Sequence, residues 1–297
     1  MSGGPRSEDV RLRPDEFRLL RDLINGYAGI YFGDEAQSVL ERRLRDRLSA
    51  WGHKSFGEYY QFLKFSAQGG VELDDAVDLL TTNETYFFRE DYQLRAFRDE
   101  VLPRLSLEGG TSGPRRRLSI WSAGCSTGEE VYTLAILIAE TGLFGSWDVR
   151  VYGSDISKRC VAAARRGIYG PSAFRVISPE IKKQYFTDAV DGCHVIDRIR
   201  ADCNFGHLNL MDSERVRVVG RVDAIFCRNV LIYFDQRSRK KVIDMFYERL
   251  LPGGFLFLGH SESLLNVSTA FELVHLSEDL VYRKPLMPLP SRKGGHQ

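Results

Sequence analysis

Ile120-Trp-Ser-Ala-Gly-Cys-Ser-Thr-Gly-Glu-Glu130 begins as an apolar strand, turns through Gly124 and Gly128, and opens directly into a helix. Glycines at such a turn let the backbone approach a ligand and leave amide donors at a helix N-terminus. On either side the same alternation continues. Residues 118–123 read as a strand, 129–140 as an amphipathic helix, 149–153 as a second strand and 158–166 as a helix. Residues 222–227 and 254–259 read as further buried strands, with a helix at 238–250 between them. Strands alternating with helices predict an α/β fold built on a parallel, doubly wound sheet. Ligands in such sheets bind at the C-terminal strand ends, beside the point where the strand order reverses.

The alternation fails between residues 167 and 210, where 195–199 and 203–208 read as short strands. A small β subdomain inserted at about 167–208 is expected there. The first eighty residues have helical spacing instead: Phe17, Leu20, Leu23, Ile24 and Tyr27 in one helix, with Gly26 and Gly29 as stops. A second helix at 38–50 aligns Val39, Leu40, Leu44 and Leu48 while Arg42, Arg43, Arg45 and Arg47 crowd the remainder. Phe56, Tyr59, Tyr60, Leu63 and Phe65 suggest a third helix, and residues 76–80 a fourth. The expected organisation is a helical domain at 1–80, a catalytic domain at 81–284 and a disordered tail at 285–297. The glycine- and proline-bearing stretch at 109–117 reads as a loop.

Composition narrows the class of function. Hydrophobic residues make up 43% and charged residues 27% of 297, ordinary for a globular protein. Lys and Arg number 41 against 40 Asp and Glu, which argues against a nucleic-acid partner. The five cysteines form no C-x-x-C pair, so neither a zinc or other metal site nor a disulfide framework is expected. The first thirteen residues lack the apolar stretch of a signal peptide, and the longest apolar run, 134–139, is too short to span a bilayer. A cytoplasmic protein without membrane insertion is expected, with a monomer as the simplest state.

Four segments carry candidate chemistry. The Gly124–Gly128 turn admits a methyltransferase nucleoside loop, a degenerate dinucleotide loop, a serine-hydrolase elbow using Ser126, or a plain tight turn. Asp155, ending the next strand, suits the two hydroxyls of a ribose, or alternatively a helix N-cap. Thr81-Thr-Asn-Glu-Thr-Tyr-Phe-Phe-Arg-Glu90 gathers hydroxyl, amide, aromatic and guanidinium groups, with Phe87 and Phe88 expected in the core. Asp223-Ala-Ile-Phe-Cys-Arg-Asn-Val-Leu-Ile-Tyr-Phe-Asp235 delivers Arg228, Asn229 and Tyr233 to a strand end, although Tyr233 also suits a core position. Gly253-Gly-Phe-Leu-Phe-Leu-Gly-His-Ser-Glu-Ser263 places His260 after another strand end, where a solvated or hydrogen-bonded loop histidine is expected.

Taken in order along roughly residues 10–284, these segments resemble the chemotaxis receptor methyltransferase (CheR) family. The resemblance rests on T-x-N-E-T-x-F-F-R, W-S-A-G-C-S-T-G-E-E, the Gly153-Ser-Asp155 strand end, C-R-N-V-L-I-Y-F-D and G-G-x-L-x-L-G-H-S-E-S. It implies a class I methyltransferase-like fold with an N-terminal helical domain and a small inserted β subdomain. It also implies S-adenosylmethionine as cofactor, with S-adenosylhomocysteine as product and glutamate methyl esters on chemotaxis receptors. Carried over, cofactor contacts fall on Asn83, Thr85, Arg89, Gly124, Glu129 (or its neighbour Glu130), Asp155, Asn209, Leu210, Arg228 and Asn229. Arg89 and Tyr233 map beside the transferred methyl, and Arg42, Arg43, Arg45 and Arg47 onto the surface that meets acidic receptor helices.

Overall fold

A computed structural model describes residues 10–108 and 116–286. The expected loop at 109–117 and tail at 285–297 therefore lie largely outside the described residues. Four helices come first: α1 (Pro14–Ala28), α2 (Gln37–Ala50), α3 (Phe56–Phe65) and α4 (Gly69–Leu80). Pro14 at the first position of α1 presets the backbone, and Glu16 reaches back to the Arg13 amide at 3.0 Å. The helix ends at Gly29, whereas Gly26, also expected as a stop, lies inside it. Leu40, Leu44 and Leu48 are fully buried in α2, but Phe65 at the end of α3 is 70% exposed.

A helical run absent from the sequence reading follows: α5 (Asp91–Ala96), a π turn (Phe97–Val101) and α6 (Leu102–Glu108). The remaining elements are β1 (Arg117–Ala123), α7 (Glu129–Thr141), β2 (Asp148–Asp155), α8 (Lys158–Arg166), β3 (Ile168–Tyr169), α9 (Pro179–Tyr185), β4 (Phe186–Ala189) and β5 (Gly192–Val195). They continue with α10 (Asp197–Arg200), β6 (Cys203–His207), α11 (Ser213–Val216), β7 (Val222–Cys227), α12 (Gln236–Arg249), β8 (Leu250–Leu258), β9 (Glu272–His275) and β10 (Leu280–Arg283).

The main sheet has the order β6-β2-β1-β7-β8-β10-β9. Strands β6, β2, β1, β7 and β8 are parallel, and β10 runs antiparallel between β8 and β9. Both faces are covered, and side chains alternate between them. Trp121, Ile225, Cys227 and Leu256 pack toward the N-terminal helices and α12. Ile120, Ala224, Phe226 and Phe257 pack toward α5, α6 and α7. On that second face Phe226 and Phe257, paired in register, stack at 4.3 Å, and Phe97 from the π turn meets both edge-on.

Two strands expected in the inserted element are placed differently. Residues 203–207 pair in parallel with β2, from Val151–Cys203 to Asp155–His207, and so form the edge of the main sheet. Residues 197–200 are helical, and only Val195 of the 195–199 stretch is in a strand. The small antiparallel sheet has the order β3-β5-β4. Among the described residues, no helix is long and apolar enough to cross a membrane.

Candidate functional site

The strand order reverses between β1 and β7, and a cavity of about 340 Å³ opens there at the C-terminal ends of the parallel strands. Asn83, Thr85, Arg89, Gly124, Asp155, Asn209, Leu210, Arg228, Asn229 and Tyr233 all line it. Glu129 does not. Its carboxylate accepts the Thr127 hydroxyl at 2.7 Å, and burial pushes its pKa up. The acid facing the cavity is Glu130, which accepts Ser122 Oγ at 2.7 Å and pairs with Arg228 Nη1 at 3.2 Å. Successive helical residues point about 100° apart, so one of two adjacent acids meets the strands and the other turns away.

Gly124 takes φ +85°, and a Cβ there would stand 2.4 Å from Val230 Cγ2, so only glycine lets the β1 turn lie against the β7 loop. Asp155 ties the first two strand ends together. Its Oδ2 accepts the Ser126 amide and its Oδ1 the Ser157 amide, each at 2.8 Å. The helix cap of α8 is Ser157, which accepts from the Cys160 amide, not Asp155. Burial pushes the Asp155 carboxyl up against the pull of those two amides. Each oxygen keeps acceptor capacity for a further donor.

Arg228 is buried between Glu90, at 3.3 Å, and Glu130, and it also donates to the Arg89 carbonyl. Burial alone would raise the Glu90 carboxyl, but Arg228, His260 and Asn229 together hold it below its ordinary range. Three cavity-lining residues other than glycine, Phe88, Ser126 and Asn229, have positive φ, as does Glu90 beside Arg228, a concentration of strain at one site. Phe87 is fully buried as expected, while Phe88 is half-buried and lines the cavity. His260 is exposed, with Nδ1 3.1 Å from Glu90 Oε1, which is the hydrogen-bonded loop role expected of it.

The N-terminal domain roofs the cavity through Val39 of α2 and through Ile30, Phe32 and Ala36, which carry no sequence signal, from the connection between α1 and α2. The Tyr31 amide donates to the Tyr233 carbonyl at 2.8 Å, Asn209 Nδ2 to the Tyr27 carbonyl at 2.7 Å, and Asn25 Nδ2 to Asp235 at 2.9 Å. Tyr233 is 38% exposed, so it is no core residue. Two carboxylates were missed within the quoted segments: Glu90, the partner of Arg228, and Glu262, which accepts backbone amides from the β7 loop.

The four arginines of α2 do not form one free face. Arg43 donates to the Leu80 carbonyl at 2.8 Å, capping α4, and lines the cavity. Arg45 pairs with Glu41, and Arg47 with Glu72 and Asp75. Only Arg42 is exposed with no partner among the described residues.

A serine-hydrolase reading fails on geometry. Ser126 Oγ donates to the Asn83 carbonyl at 3.0 Å, and His260 is engaged by Glu90, so nucleophile and base are not joined. A doubly wound sheet, a glycine turn after β1 and a buried carboxylate ending β2 define instead an S-adenosylmethionine-dependent methyltransferase of class I. The cavity fits that cofactor. Asp155 has acceptor capacity for ribose hydroxyls, and Arg228 Nε is a buried donor with no partner among the described residues. Residues 83–280 match "CheR methyltransferase, SAM binding domain" and residues 15–81 match "CheR methyltransferase, all-alpha domain". The chain belongs to the CheR methyltransferase family. It is 35% identical over 284 residues to chemotaxis protein methyltransferase 2 of Vibrio cholerae, covering 93% of this chain and 95% of that one. Chemotaxis protein methyltransferase 1 of Pseudomonas aeruginosa is 36% identical, covering 90% and 97%. The Escherichia coli chemotaxis protein methyltransferase is 34% identical, covering 90% and 91%.

Proposed function

We propose that the protein methylates glutamate side chains on the cytoplasmic helices of chemotaxis receptors, leaving glutamate methyl esters and S-adenosylhomocysteine. One observation carries this reading: Arg89 and Tyr233 line the cavity yet remain partly open to solvent, while Asp155 and Arg228 beside them are buried. Buried residues hold a resident cofactor, and the open pair meets what arrives from outside.

The cofactor, when bound, supplies an electrophilic methyl group on a sulfonium centre. A glutamate is already ionised at neutral pH, so the site requires no general base. Arg89 donates to the Glu84 carbonyl at 3.0 Å and lies 3.8 Å from Glu90, which leaves its charge partly compensated. A guanidinium so placed steers an incoming carboxylate without blunting its nucleophilicity. Tyr233 orients the attacking oxygen. Apolar walls at Leu94, Leu210 and Phe234 exclude water as opposite charges cancel, and orientation is worth up to about 7–11 kcal/mol in favourable cases. The residues that hold the cofactor are Asn83, Thr85, Asp155, Asn209, Leu210, Arg228 and Asn229, with Glu130 in place of Glu129. Arg42 is the α2 cation that meets the acidic receptor helix.

Transfer of labelled methyl from S-adenosylmethionine to a receptor cytoplasmic fragment, followed by mild alkali, tests the reading. Label released as methanol supports carboxyl esters. Label that survives alkali overturns them.

A further inference from the structure

One carboxylate outside the cofactor set gathers the backbone on which that set depends. Glu262 Oε2 accepts the amides of Asn229 at 2.9 Å and Gly259 at 2.7 Å, and Oε1 accepts those of Val230 at 3.0 Å and Ile232 at 3.1 Å. Four donors occupy essentially all of the lone-pair sites of one carboxylate. Three of them belong to the short segment between the end of β7 and Tyr233. The ladder between β7 and β8 stops at the Cys227–Leu258 pair, so it does not hold that segment.

Two further features show how closely the segment is fixed. Asn229 adopts φ +59°, sparsely populated for a residue with a side chain, and its Nδ2 lies 3.4 Å from Glu90 Oε1. Gly259 permits the approach: a Cβ there would stand 2.8 Å from both the Asn229 nitrogen and Glu262 Oε2. The turn then continues through the Tyr233 amide, which donates to the Val230 carbonyl at 3.2 Å. Moving Val230 therefore moves Tyr233.

We infer that Glu262 is a positioning residue for methyl transfer, holding Asn229 against the cofactor cavity and Tyr233 at its opening. The part of this that concerns turnover rests on the role proposed for Tyr233. The part that concerns the loop and cofactor affinity does not.

Glu262→Gln tests it. The amide keeps one acceptor oxygen and turns an NH2 group toward two of the four backbone donors, so the loop loses its grip without losing side-chain volume. Three readouts apply to the full chain: hydrogen exchange resolved by peptide, S-adenosylhomocysteine affinity, and turnover at saturating cofactor. Exchange across residues 228–233 should accelerate about tenfold or more while β1 and β2 keep parental protection. Affinity should fall about tenfold, the equivalent of one hydrogen-bonding contact. Turnover should fall further than the receptor KM changes, and Glu262→Asp, which keeps the four acceptor sites but is shorter, should recover part of each loss. Glu262→Asp carries the same readouts if the glutamine variant does not fold.

Parental exchange at 228–233 with unchanged affinity overturns the inference. So does a loss of protection spread evenly over the sheet, which marks a general structural role. If the unmodified protein transfers no methyl group to receptor fragments, the proposed function fails, and exchange and affinity still decide the role of Glu262.

Discussion

Arg228 Nη1 stands 3.2 Å from Glu130 Oε2, an ion pair that joins the end of the fourth parallel strand in the chain to the first turn of the helix after β1. The guanidinium is 3% exposed and faces Glu90 on its other side. Removing it would take the buried cation from both carboxylates, leaving Glu130 the Ser122 hydroxyl and Glu90 the Asn229 amide and the exposed His260. Arg228→Ala should therefore destabilise the protein by about 3–5 kcal/mol and abolish cofactor binding. Denaturant unfolding together with calorimetric titration checks both, and a variant of parental stability that still binds S-adenosylhomocysteine would refute the placement.

Asp155 and Tyr233 should separate binding from turnover. Asp155→Ala leaves the Ser126 and Ser157 amides without their acceptor and deletes the carboxylate proposed to meet the ribose. Loss of contacts to a charged group costs about 1.5–3 kcal/mol each, so cofactor affinity should drop by about a hundredfold. Tyr233→Phe should lower turnover with affinity unchanged. Equal affinity for Asp155→Ala and the parent would remove the carboxylate from the cofactor site.

The α2 arginines divide into structural and available groups. Glu72 has a fully buried side chain that accepts Tyr59 Oη at 2.6 Å and pairs with Arg47. Burial would raise the Glu72 carboxyl, but Arg47, Tyr59 and Trp51 hold it below its ordinary range. Arg47→Ala should cost about 3 kcal/mol in stability. Arg42→Ala should stay within about 0.5 kcal/mol and weaken receptor binding in a salt-dependent manner. Thermal unfolding and binding assays at two ionic strengths distinguish them, and the reverse pattern would contradict the assignment.

Asp223 provides a pH test of the fold. Burial pushes its carboxyl up to about 6, while the Ser119 amide at 2.8 Å pulls the other way. The folded state thus binds this proton more tightly than the unfolded chain, whose aspartates titrate near about 3.9. The contribution is fully present below that value and is lost as pH rises through about 6. Asp223→Asn keeps an acceptor for Ser119 and does not titrate. Between about pH 4 and pH 7 its stability should gain about 1–3 kcal/mol relative to the parent. Parallel stability profiles for the two proteins would show that Asp223 carries no such shift.

Much of the main sheet was legible because its strands are apolar runs bounded by turns, as in 118–123 and 222–227. Which edge a strand joins is a different matter. Cys203–His207 was readable as a strand, yet its parallel pairing with β2 is set by long-range packing, not by its own sequence. Glu129 and Glu130 could not be separated, since the choice depends on how α7 is rotated against Ser122 and Arg228. The partner of Arg47 lies twenty-five residues away, so its spacing in α2 looked like free charge. Glu262 was within a quoted segment, but its partners are backbone amides, and those leave no mark on side-chain pattern.

The most direct test of the central claim is peptide mass spectrometry of a chemoreceptor cytoplasmic fragment incubated with the protein and S-adenosylmethionine. The expected result is the mass of one methylene added to glutamate side chains, lost on mild alkali and absent when Asp155→Ala replaces the parent. Methylation confined to lysine, arginine or another residue type, or an unmodified receptor despite bound cofactor, would contradict it.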